Sequence, residues 1–216
     1  MANTVTIPQP VPIFRLIHIS NLSIYLRRGG MHAPNYVPSD GLVYRTIHNI
    51  DIQRERKIRC VTCKPDGSIH DYVCFYFGMR SPMLYQLCNS LVDGYDEGQE
   101  PLIYLVSTVE AVDQAAIPYV FSDGHGIAAF TQWFNRFEDL KEVDWVMVYA
   151  KFWFDRLEDP DRQRRKQAEF LVYKYCPLTL IHEIGVINEN ARNEVNSILV
   201  AHGWSFPVNI HRDWYY

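Results

Sequence analysis

The stretch "RRKQAEFLVYKY", from Arg164 to Tyr175, decides the fold. Its second half is a run of apolar, β-branched and aromatic residues, which is typical of a buried strand. Four cations between Arg162 and Lys166 precede this run, and Glu169 opens it. A carboxylate at that place is either the solvated first residue of a strand or part of a functional site, and the surrounding sequence has to decide between these interpretations.

Strand patterns recur along the chain and are interspersed with short helical patterns. Apolar, β-branched and aromatic runs predict strands at 13–18, 71–77, 101–107, 117–123, 168–175, 181–187 and 205–216. Apolar residues at helical spacing, with capping residues, predict helices at 20–30, 108–116, 126–135 and 188–203. The charged segment 51–59 is a helical turn or an exposed arm, and 78–84 is a loop. Since no repeat or linker divides the chain, we predict one α+β domain over residues 1–216, with mostly antiparallel strands.

Composition and charge restrict the class of protein. The chain of 216 residues is 48% hydrophobic and 14% aromatic, which indicates a buried core rather than disorder. Its formal net charge of −4 argues against a general nucleic-acid binder, so any polyanion site has to be a local patch. The first residues lack a signal-peptide pattern, and no run approaches the roughly 18 apolar residues of a membrane span. The five cysteines then indicate reduced thiols, and we expect a cytoplasmic protein without membrane contact.

Metal chemistry is only weakly indicated. The one CxxC pair is Cys60 and Cys63. His70 and Cys74 are the nearest further ligands, but Cys74 stands inside a predicted strand, whereas structural zinc sites usually bring both ligand pairs on turns. The acidic segment 138–163 has irregular spacing and is interpreted as a solvated face. Motifs of metalloproteases, P-loop proteins, serine hydrolases and Rossmann proteins are absent. We therefore predict no metal site.

Four features remain that suggest more than a structural role. They are His18 at the end of the first strand, the arginines Arg54 and Arg56 of the charged arm, an aromatic strand that runs into a Ser-Pro loop at 75–84, and Glu169. Together they offer groups to hold a dinucleotide, an aromatic wall for a flat ring, and one carboxylate. A fixed carboxylate stabilises an oxocarbenium-like sugar, which is what breaking the nicotinamide–ribose bond of NAD requires.

Several longer blocks, in their order and spacing, resemble the DarT family, the DNA ADP-ribosyltransferase toxins of bacterial toxin–antitoxin pairs. The blocks are "IFRLIHISNL", "DIQRER", "GSIHDYVCFYFGMRSPMLY", "IYLVSTVEAV", "YVFSDGHGIAAFT", "DPDRQRRKQAEFLV" and the terminal "RDWYY". The resemblance covers nearly the whole chain. It implies an ADP-ribosyltransferase-like fold, in which two small packed and mostly antiparallel sheets frame an NAD cleft, with helices at the periphery.

The resemblance also implies the activity. NAD is the co-substrate, and ADP-ribose passes, with release of nicotinamide, to a base of single-stranded DNA in a sequence-specific way. The "DYVCFYF" and "SPML" blocks are similar to members that modify thymidine, whereas another branch modifies guanine. A macrodomain antitoxin, DarG, is the implied partner. The alternatives left open are guanosine, RNA or protein as the acceptor, an NAD glycohydrolase, and a DNA-binding module without chemistry.

Matching by position to the family implies the site residues. Glu169 and Arg56 correspond to the catalytic glutamate and the active-site arginine. The residues expected at NAD are His18, Ser20, Asn21, Arg54, Phe77, Ser81, Met83 and Leu84. Those expected at DNA are Tyr44, Arg45, His125, Arg162, Arg165 and Lys166, the last three as a phosphate-binding patch. The chain departs from the common family pattern at Cys74 and Met79, where relatives often carry proline.

Overall fold

The computed structural model describes residues 6–216, which contain ten strands and seven α-helices. Residues 1–5, where the sequence shows no signal-peptide pattern, lie outside this range. The strands are β1 (Pro12–His18), β2 (Gly30–His32), β3 (Tyr72–Tyr76), β4 (Leu102–Thr108), β5 (Tyr119–Ser122), β6 (Trp133–Phe134), β7 (Glu169–Tyr173), β8 (Tyr175–Pro177), β9 (Glu183–Val186) and β10 (Val208–Ile210). The helices are α1 (Leu22–Arg28), α2 (Ile50–Ile58), α3 (Pro82–Cys88), α4 (Val109–Gln114), α5 (Trp145–Val148), α6 (Arg162–Lys166) and α7 (Glu189–Ala201).

The main sheet is divided at its centre into two halves. Its strand order is β10-β9-β4-β1-β3-β7-β5-β6. β1 pairs with β4 along its whole length, and β3 pairs with β7 along its whole length. Between β1 and β3, however, the only paired residues are Phe14 and Tyr76. The two strands diverge from that pair, so that two four-stranded halves flank a cleft.

The predicted α+β class and the two mostly antiparallel sheets are confirmed. The second sheet contains only β2 and β8, so the two sheets differ in size. Among the described strands, only β9 and β10 pair in parallel. The pair of small sheets that the prediction placed around a cleft corresponds to the two halves of the divided main sheet.

Strand β7 is covered on both faces, which explains its almost continuous apolar sequence. Every residue from Glu169 to Val172 is buried. The ring of Phe170 packs against the rings of Phe77 and Tyr119, with centroids 6.0 Å and 4.8 Å apart. Glu169 therefore enters the protein interior together with its strand, and it has to find polar partners there.

The predicted helix at 126–135 is wrong. The segment forms turns followed by β6, and Phe130, expected on an apolar helix face, is 86% exposed. Contacts with distant residues override the helical spacing: the Gly126 N–H donates to the Glu169 carboxylate, and Phe134 stacks on a core phenylalanine of β5 with centroids 5.4 Å apart.

The predicted loop at 78–84 runs into a helix. Ser81 caps the N-terminus of α3, because its hydroxyl accepts a hydrogen bond from the Leu84 N–H at 3.2 Å. Pro82 occupies the first turn, where its missing N–H costs no hydrogen bond. The Ser-Pro pair is thus a helix start rather than a loop.

Of the two interpretations of the charged segment 51–59, the helical one is confirmed. Asn49 caps α2 by accepting hydrogen bonds from the N–H groups of Asp51 and Ile52. One side of this helix turns toward the cleft, so Arg56 is buried, whereas the side chain of Arg54 is 76% exposed.

Candidate active site

Glu169 and Arg56 form a buried ion pair in the cleft; the two residues are 1% and 7% exposed. Arg56 Nη1 donates to Glu169 Oε1 at 2.9 Å, and Nη2 donates to Oε2 at 2.6 Å. The Gly126 N–H donates to Oε1 at 3.0 Å. Arg56 Nη2 also contacts Cys74 Sγ at 3.0 Å. Because three donors hold the carboxylate, its orientation is fixed before any substrate arrives.

The surroundings of Glu169 keep its carboxylate ionised. Burial acts to raise the pKa of Glu169, but the charge and hydrogen bonds of Arg56 outweigh burial, with smaller contributions from His125 and the Gly126 N–H. The pKa therefore lies below its usual value. An ionised carboxylate in a water-poor cleft interacts strongly with a positive charge that develops next to it, because little solvent screens the interaction.

A cavity of about 440 Å³ lies between the diverging strands β1 and β3. The predicted site residues on its wall are Asn21, Tyr44, Arg45, Arg56, Met83, His125 and Glu169. Asn21 is held rigidly, since its Oδ1 accepts from the Arg45 N–H at 2.7 Å and its Nδ2 donates to the Arg45 carbonyl at 2.9 Å. Polar groups set among aromatic and aliphatic side chains are typical of a small-molecule site.

His18 and Ser20 lie beside the cavity, behind its wall. His18 Nδ1 accepts a hydrogen bond from the Ser20 N–H at 3.2 Å, which leaves the ring proton on Nε2, 3.4 Å from Glu97 Oε2. Burial lowers the pKa of His18, although Glu97 acts in the opposite direction. Glu97 also pairs with Arg45, and so connects His18 to the wall. The contact of His18 with NAD stays a prediction.

Four other residues predicted at NAD lie away from the cavity wall. Phe77 and Leu84 are completely buried in the hydrophobic core, and the ring of Phe77 packs against a core tryptophan. Ser81 caps α3, and Arg54 points to solvent. The predicted contact of Phe77 with NAD is not supported, because core residues occupy the whole surface of this side chain.

The basic cluster before Glu169 is not the free phosphate-binding patch of the prediction. Arg165 pairs with Asp144 and Asp159. Arg162 donates to two backbone carbonyls of segment 152–154, at 3.1 Å and 2.6 Å. The acidic segment that was interpreted as a solvated face thus supplies internal partners for these cations. The guanidinium groups of Arg162 and Arg165 are therefore directed toward partners within the protein.

Lys166 is the most buried member of that cluster, with 2% of the residue exposed. Its ammonium group donates to the carbonyl oxygens of Met79 and Val148, at 3.1 Å and 2.6 Å. Lys166 therefore ties the loop before α3 to the end of α5, and it is not available to DNA. Burial, with a smaller contribution from Arg80, lowers the pKa of Lys166 to about 8.

This lowered pKa predicts a pH-dependent contribution of Lys166 to stability. Between about 8 and the ordinary value of 10.5, the unfolded chain binds more protons than the folded chain, so stability rises with pH. We expect the free energy of unfolding of the wild type, relative to Lys166→Met, to increase by about 2 kcal/mol between about pH 7.5 and about pH 9.5. Urea denaturation of both proteins at the two pH values measures the difference. Equal changes in the two proteins would contradict a depressed pKa.

Several wall residues escaped the sequence prediction. Arg15 and His48 lie on the wall, and so do His70 and Cys74, which the sequence suggested only as weak zinc ligands; Cys74 also contacts Arg56. Burial and the nearby arginines lower the pKa of His48. The sequence does mark Arg15, because it is a charged residue inside the otherwise apolar run "IFRLIH". His48 lies in an irregular segment and His70 in a single 3-10 turn, Ile69–Asp71, and neither place carries a periodic pattern that marks the residue.

No group of three or more His, Cys, Asp or Glu side chains in residues 6–216 is placed to hold a metal ion, so Cys60, Cys63, His70 and Cys74 do not form the zinc site that the sequence weakly indicated. No helix in the same range is long and apolar enough to cross a membrane.

A divided antiparallel sheet with one ionised carboxylate fixed in the cleft between its halves agrees with the ADP-ribosyltransferase-like fold that the resemblance implied. Residues 14–216 match the DarT family, which is described as "ssDNA thymidine ADP-ribosyltransferase, DarT". The chain belongs to the DarT family.

Individual relatives agree with this assignment. A DNA ADP-ribosyl transferase of Thermus sp. (strain 2.9) is 41% identical over 217 residues, which cover 98% of this chain and 99% of the relative. Thermus sp. 2.9 DarT in complex with ADP-ribosylated ssDNA superimposes with a TM-score of 0.92 at 40% identity, covering 98% and 99% of the two chains. The same protein in complex with NAD+ gives 0.87 at 39% identity, covering 98% and 100%. The predicted family and fold are confirmed.

Proposed function

We propose that this chain transfers ADP-ribose from NAD to thymidine in single-stranded DNA and that Glu169 is its catalytic carboxylate. As a member of the DarT family, the chain is an NAD-dependent DNA ADP-ribosyltransferase. Thymidine as the acceptor is supported by the family description, and single-stranded DNA also by the solved relative that holds ADP-ribosylated ssDNA. The observation that carries the residue assignment is the ion pair of Glu169 and Arg56 on the cavity wall.

The cavity fits NAD in size and chemistry. Its volume of about 440 Å³ lies within the range of about 300 to 1,000 Å³ found for small-molecule sites. Tyr44 and Tyr76 provide aromatic surface for flat rings, and Asn21 provides a rigid amide for hydroxyl or amide groups. Glu169 is the only carboxylate on the wall within the described chain. A positive charge that develops on the substrate is therefore stabilised best next to Glu169.

Glu169 acts on the bond that breaks. The electron pair of the nicotinamide–ribose bond passes to nicotinamide, which leaves positive charge shared between the anomeric carbon and the ring oxygen. The ionised carboxylate of Glu169 stabilises this charge electrostatically. A nitrogen of the base then forms the new bond to the anomeric carbon, and its proton passes to solvent water.

Arg56 orients Glu169 rather than exchanging protons. A guanidinium group stays protonated in proteins, so Arg56 does not act as the base that accepts the thymine proton. Its two-point contact holds both carboxylate oxygens, and its charge keeps the pKa of Glu169 low. Arg56 is accordingly a positioning residue in this mechanism.

The proposed function is tested by intact mass spectrometry of oligonucleotides. The purified chain is incubated with NAD and with matched single-stranded DNA and RNA panels that differ in one base at a time. We expect the mass of one ADP-ribose unit to be added to DNA that contains thymidine, and to no oligonucleotide without it. Nicotinamide release without any gain in mass would indicate water or protein as the acceptor. Modification of guanosine alone would contradict the thymidine assignment.

We further propose that the chain is a toxin and that a macrodomain antitoxin of the DarG type removes its modification. Support comes from membership in the DarT family. The test incubates an isolated DarG macrodomain with the modified oligonucleotide and measures release of ADP-ribose. Co-expression is expected to restore the growth of cells that carry the toxin. An oligonucleotide that keeps its full mass would contradict this partnership.

A further inference from the structure

The hydroxyl group of Tyr216 joins two segments that are far apart in the sequence. It accepts a hydrogen bond from the Trp153 indole N–H at 2.7 Å. It donates to the Arg80 carbonyl at 2.7 Å and lies 3.4 Å from the Ser81 carbonyl. Trp153 belongs to the connection between β5 and β7, whereas Arg80 and Ser81 lead into α3. The hydroxyl therefore acts as donor and acceptor at once, and it ties these two segments together.

Tyr216 is itself held at its main chain and at its ring. Its N–H donates to Gln99 Oε1 at 2.9 Å, and the Gln99 amide donates back to its carbonyl at 2.6 Å. The guanidinium group of Arg80 lies over the Tyr216 ring, 4.5 Å from the centroid. The same ring packs edge-on against Tyr85 of α3, with centroids 5.3 Å apart. Because these contacts fix Tyr216, its hydroxyl can serve as a fixed point for the backbone that it bonds.

The backbone at the entry to α3 requires such a fixed point. Arg80 has a φ of +53°, in the left-handed region that residues other than glycine rarely adopt. A residue keeps this conformation only where surrounding contacts hold it. Tyr216 holds the carbonyl of Arg80, and Lys166 holds the carbonyl of Met79 at 3.1 Å. Without the Tyr216 hydroxyl, this loop can relax and displace Ser81, which caps α3.

The first turn of α3 is part of the cavity wall, through Pro82 and Met83. Met83 Sδ lies 4.0 Å from the hydroxyl of Tyr76. Tyr76 is paired with Glu169 across β3 and β7, and both residues line the cavity. The first turn of α3 therefore borders the part of the cavity in which the proposed reaction takes place. A shift of about 1 Å among the groups that hold a substrate can lower a rate by about 10²-fold.

We propose that Tyr216 is a positioning residue for ADP-ribose transfer and that it acts through Arg80 and Ser81 on the first turn of α3. Tyr216 is not among the residues of the cavity wall, so it acts only through these contacts. Through Trp153 it also fixes that turn relative to the connection between β5 and β7, which carries the wall residue His125. This inference rests on the proposed function.

The test compares Tyr216→Phe with Tyr215→Phe. Tyr215 is buried, and its hydroxyl donates to the Leu102 carbonyl at 2.9 Å and lies 3.3 Å from the Gly185 carbonyl. Each variant loses one internal hydroxyl group, but only the hydroxyl of Tyr216 bonds the segment before α3. Below the unfolding temperature of both variants, we expect Tyr216→Phe to lower kcat about 10-fold and Tyr215→Phe to stay within about 2-fold of the wild type. Intact mass of the oligonucleotide, at saturating NAD and oligonucleotide, measures kcat.

Hydrogen–deuterium exchange tests the displacement of α3 without requiring catalysis. The N–H of Leu84 bonds to the Ser81 hydroxyl at 3.2 Å, and the N–H of Tyr85 bonds to the Ser81 carbonyl at 3.1 Å. Both bonds weaken if Ser81 moves. We expect peptides that cover residues 79–88 to exchange at least about 3-fold faster in Tyr216→Phe than in the wild type or in Tyr215→Phe, because local opening becomes easier.

An unchanged kcat in Tyr216→Phe would overturn the inference, and so would equal losses of kcat in the two variants or unchanged exchange of residues 79–88. If circular dichroism shows that Tyr216→Phe does not fold, Gln99→Met takes its place, because it frees the main chain of Tyr216; the expected loss of kcat is then about 3-fold. A wild type that releases nicotinamide but modifies no DNA would contradict the proposed acceptor. The same comparison of kcat, made on nicotinamide release, would then decide the role of Tyr216.

Discussion

Glutamine in place of Glu169 is expected to lower the rate of ADP-ribose transfer by at least about 10²-fold, because a neutral amide no longer stabilises the positive charge on the ribose. The change keeps the size of the side chain, so the shape of the cavity is preserved. Intact mass of a thymidine-containing oligonucleotide, followed over time at saturating NAD, measures the rate. Oligonucleotide binding, measured by fluorescence anisotropy, should remain close to that of the wild type, since Glu169 is buried and bonded to the protein.

The matched control for this prediction is Glu142→Gln. Glu142 is exposed, and its nearest cation lies 4.0 Å away, so the same loss of charge should leave transfer unchanged. Transfer by Glu169→Gln at a rate near that of the wild type would show that another group stabilises the ribose cation. Loss of transfer in both variants would indicate an effect of overall charge rather than of the site.

Replacing Arg56 with methionine is expected to reduce both stability and activity. Glu169 would lose the guanidinium that pairs with it while staying buried, and breaking a buried ion pair in this way costs about 3 to 5 kcal/mol. The pKa of Glu169, now dominated by burial, would rise above its usual value. Because only the ionised carboxylate acts, the activity that remains should decline as the pH falls. Urea denaturation gives the free energy of unfolding, and a pH–rate profile gives the shift.

Arg54→Met provides the control for Arg56→Met, since both residues lie on α2 and only Arg56 is buried. We expect Arg54→Met to change the free energy of unfolding by less than about 1 kcal/mol, as is usual for an exposed ion pair. A pH–rate profile of Arg56→Met that superimposes on that of the wild type would be incompatible with the role given to Arg56 in lowering the pKa of Glu169.

The sequence predicted elements whose local pattern agrees with their tertiary environment. β7 is an apolar run because it is buried along Glu169–Val172, and Asn188 caps α7 because its side chain accepts a hydrogen bond from the Ala191 N–H. The prediction of a helix at 126–135 was wrong because it used only the spacing of apolar residues within the segment. The partners of Gly126 and Phe134 come from other strands. Ser81 followed by Pro82 is a pattern typical of a helix start, and the interpretation of this segment as a loop did not take it into account.

The candidate site was partly predictable for a similar reason. Glu169 and Arg56 were identified through the family resemblance, and the structure brings them together across 113 positions of sequence. Arg162 and Arg165 looked like a free cationic patch, because nothing in their neighbourhood reveals that Asp144 and the carbonyls of 152–154 fold back on them. Charge in a sequence can be counted, but its neutralisation depends on contacts that only the fold decides.

The single pairing of Phe14 with Tyr76 bears on how proteins of this family diverge in evolution. The half of the sheet with β1 leads into Asn21, which is expected at NAD. The other half carries Glu169 and the long connection from β5 to β7, residues 123–168, which includes His125. Because a single strand pairing joins β1 to β3, changes in that connection need not disturb β1. We therefore expect relatives that modify other bases or sequence contexts to differ mainly between β5 and β7 while their donor side is retained.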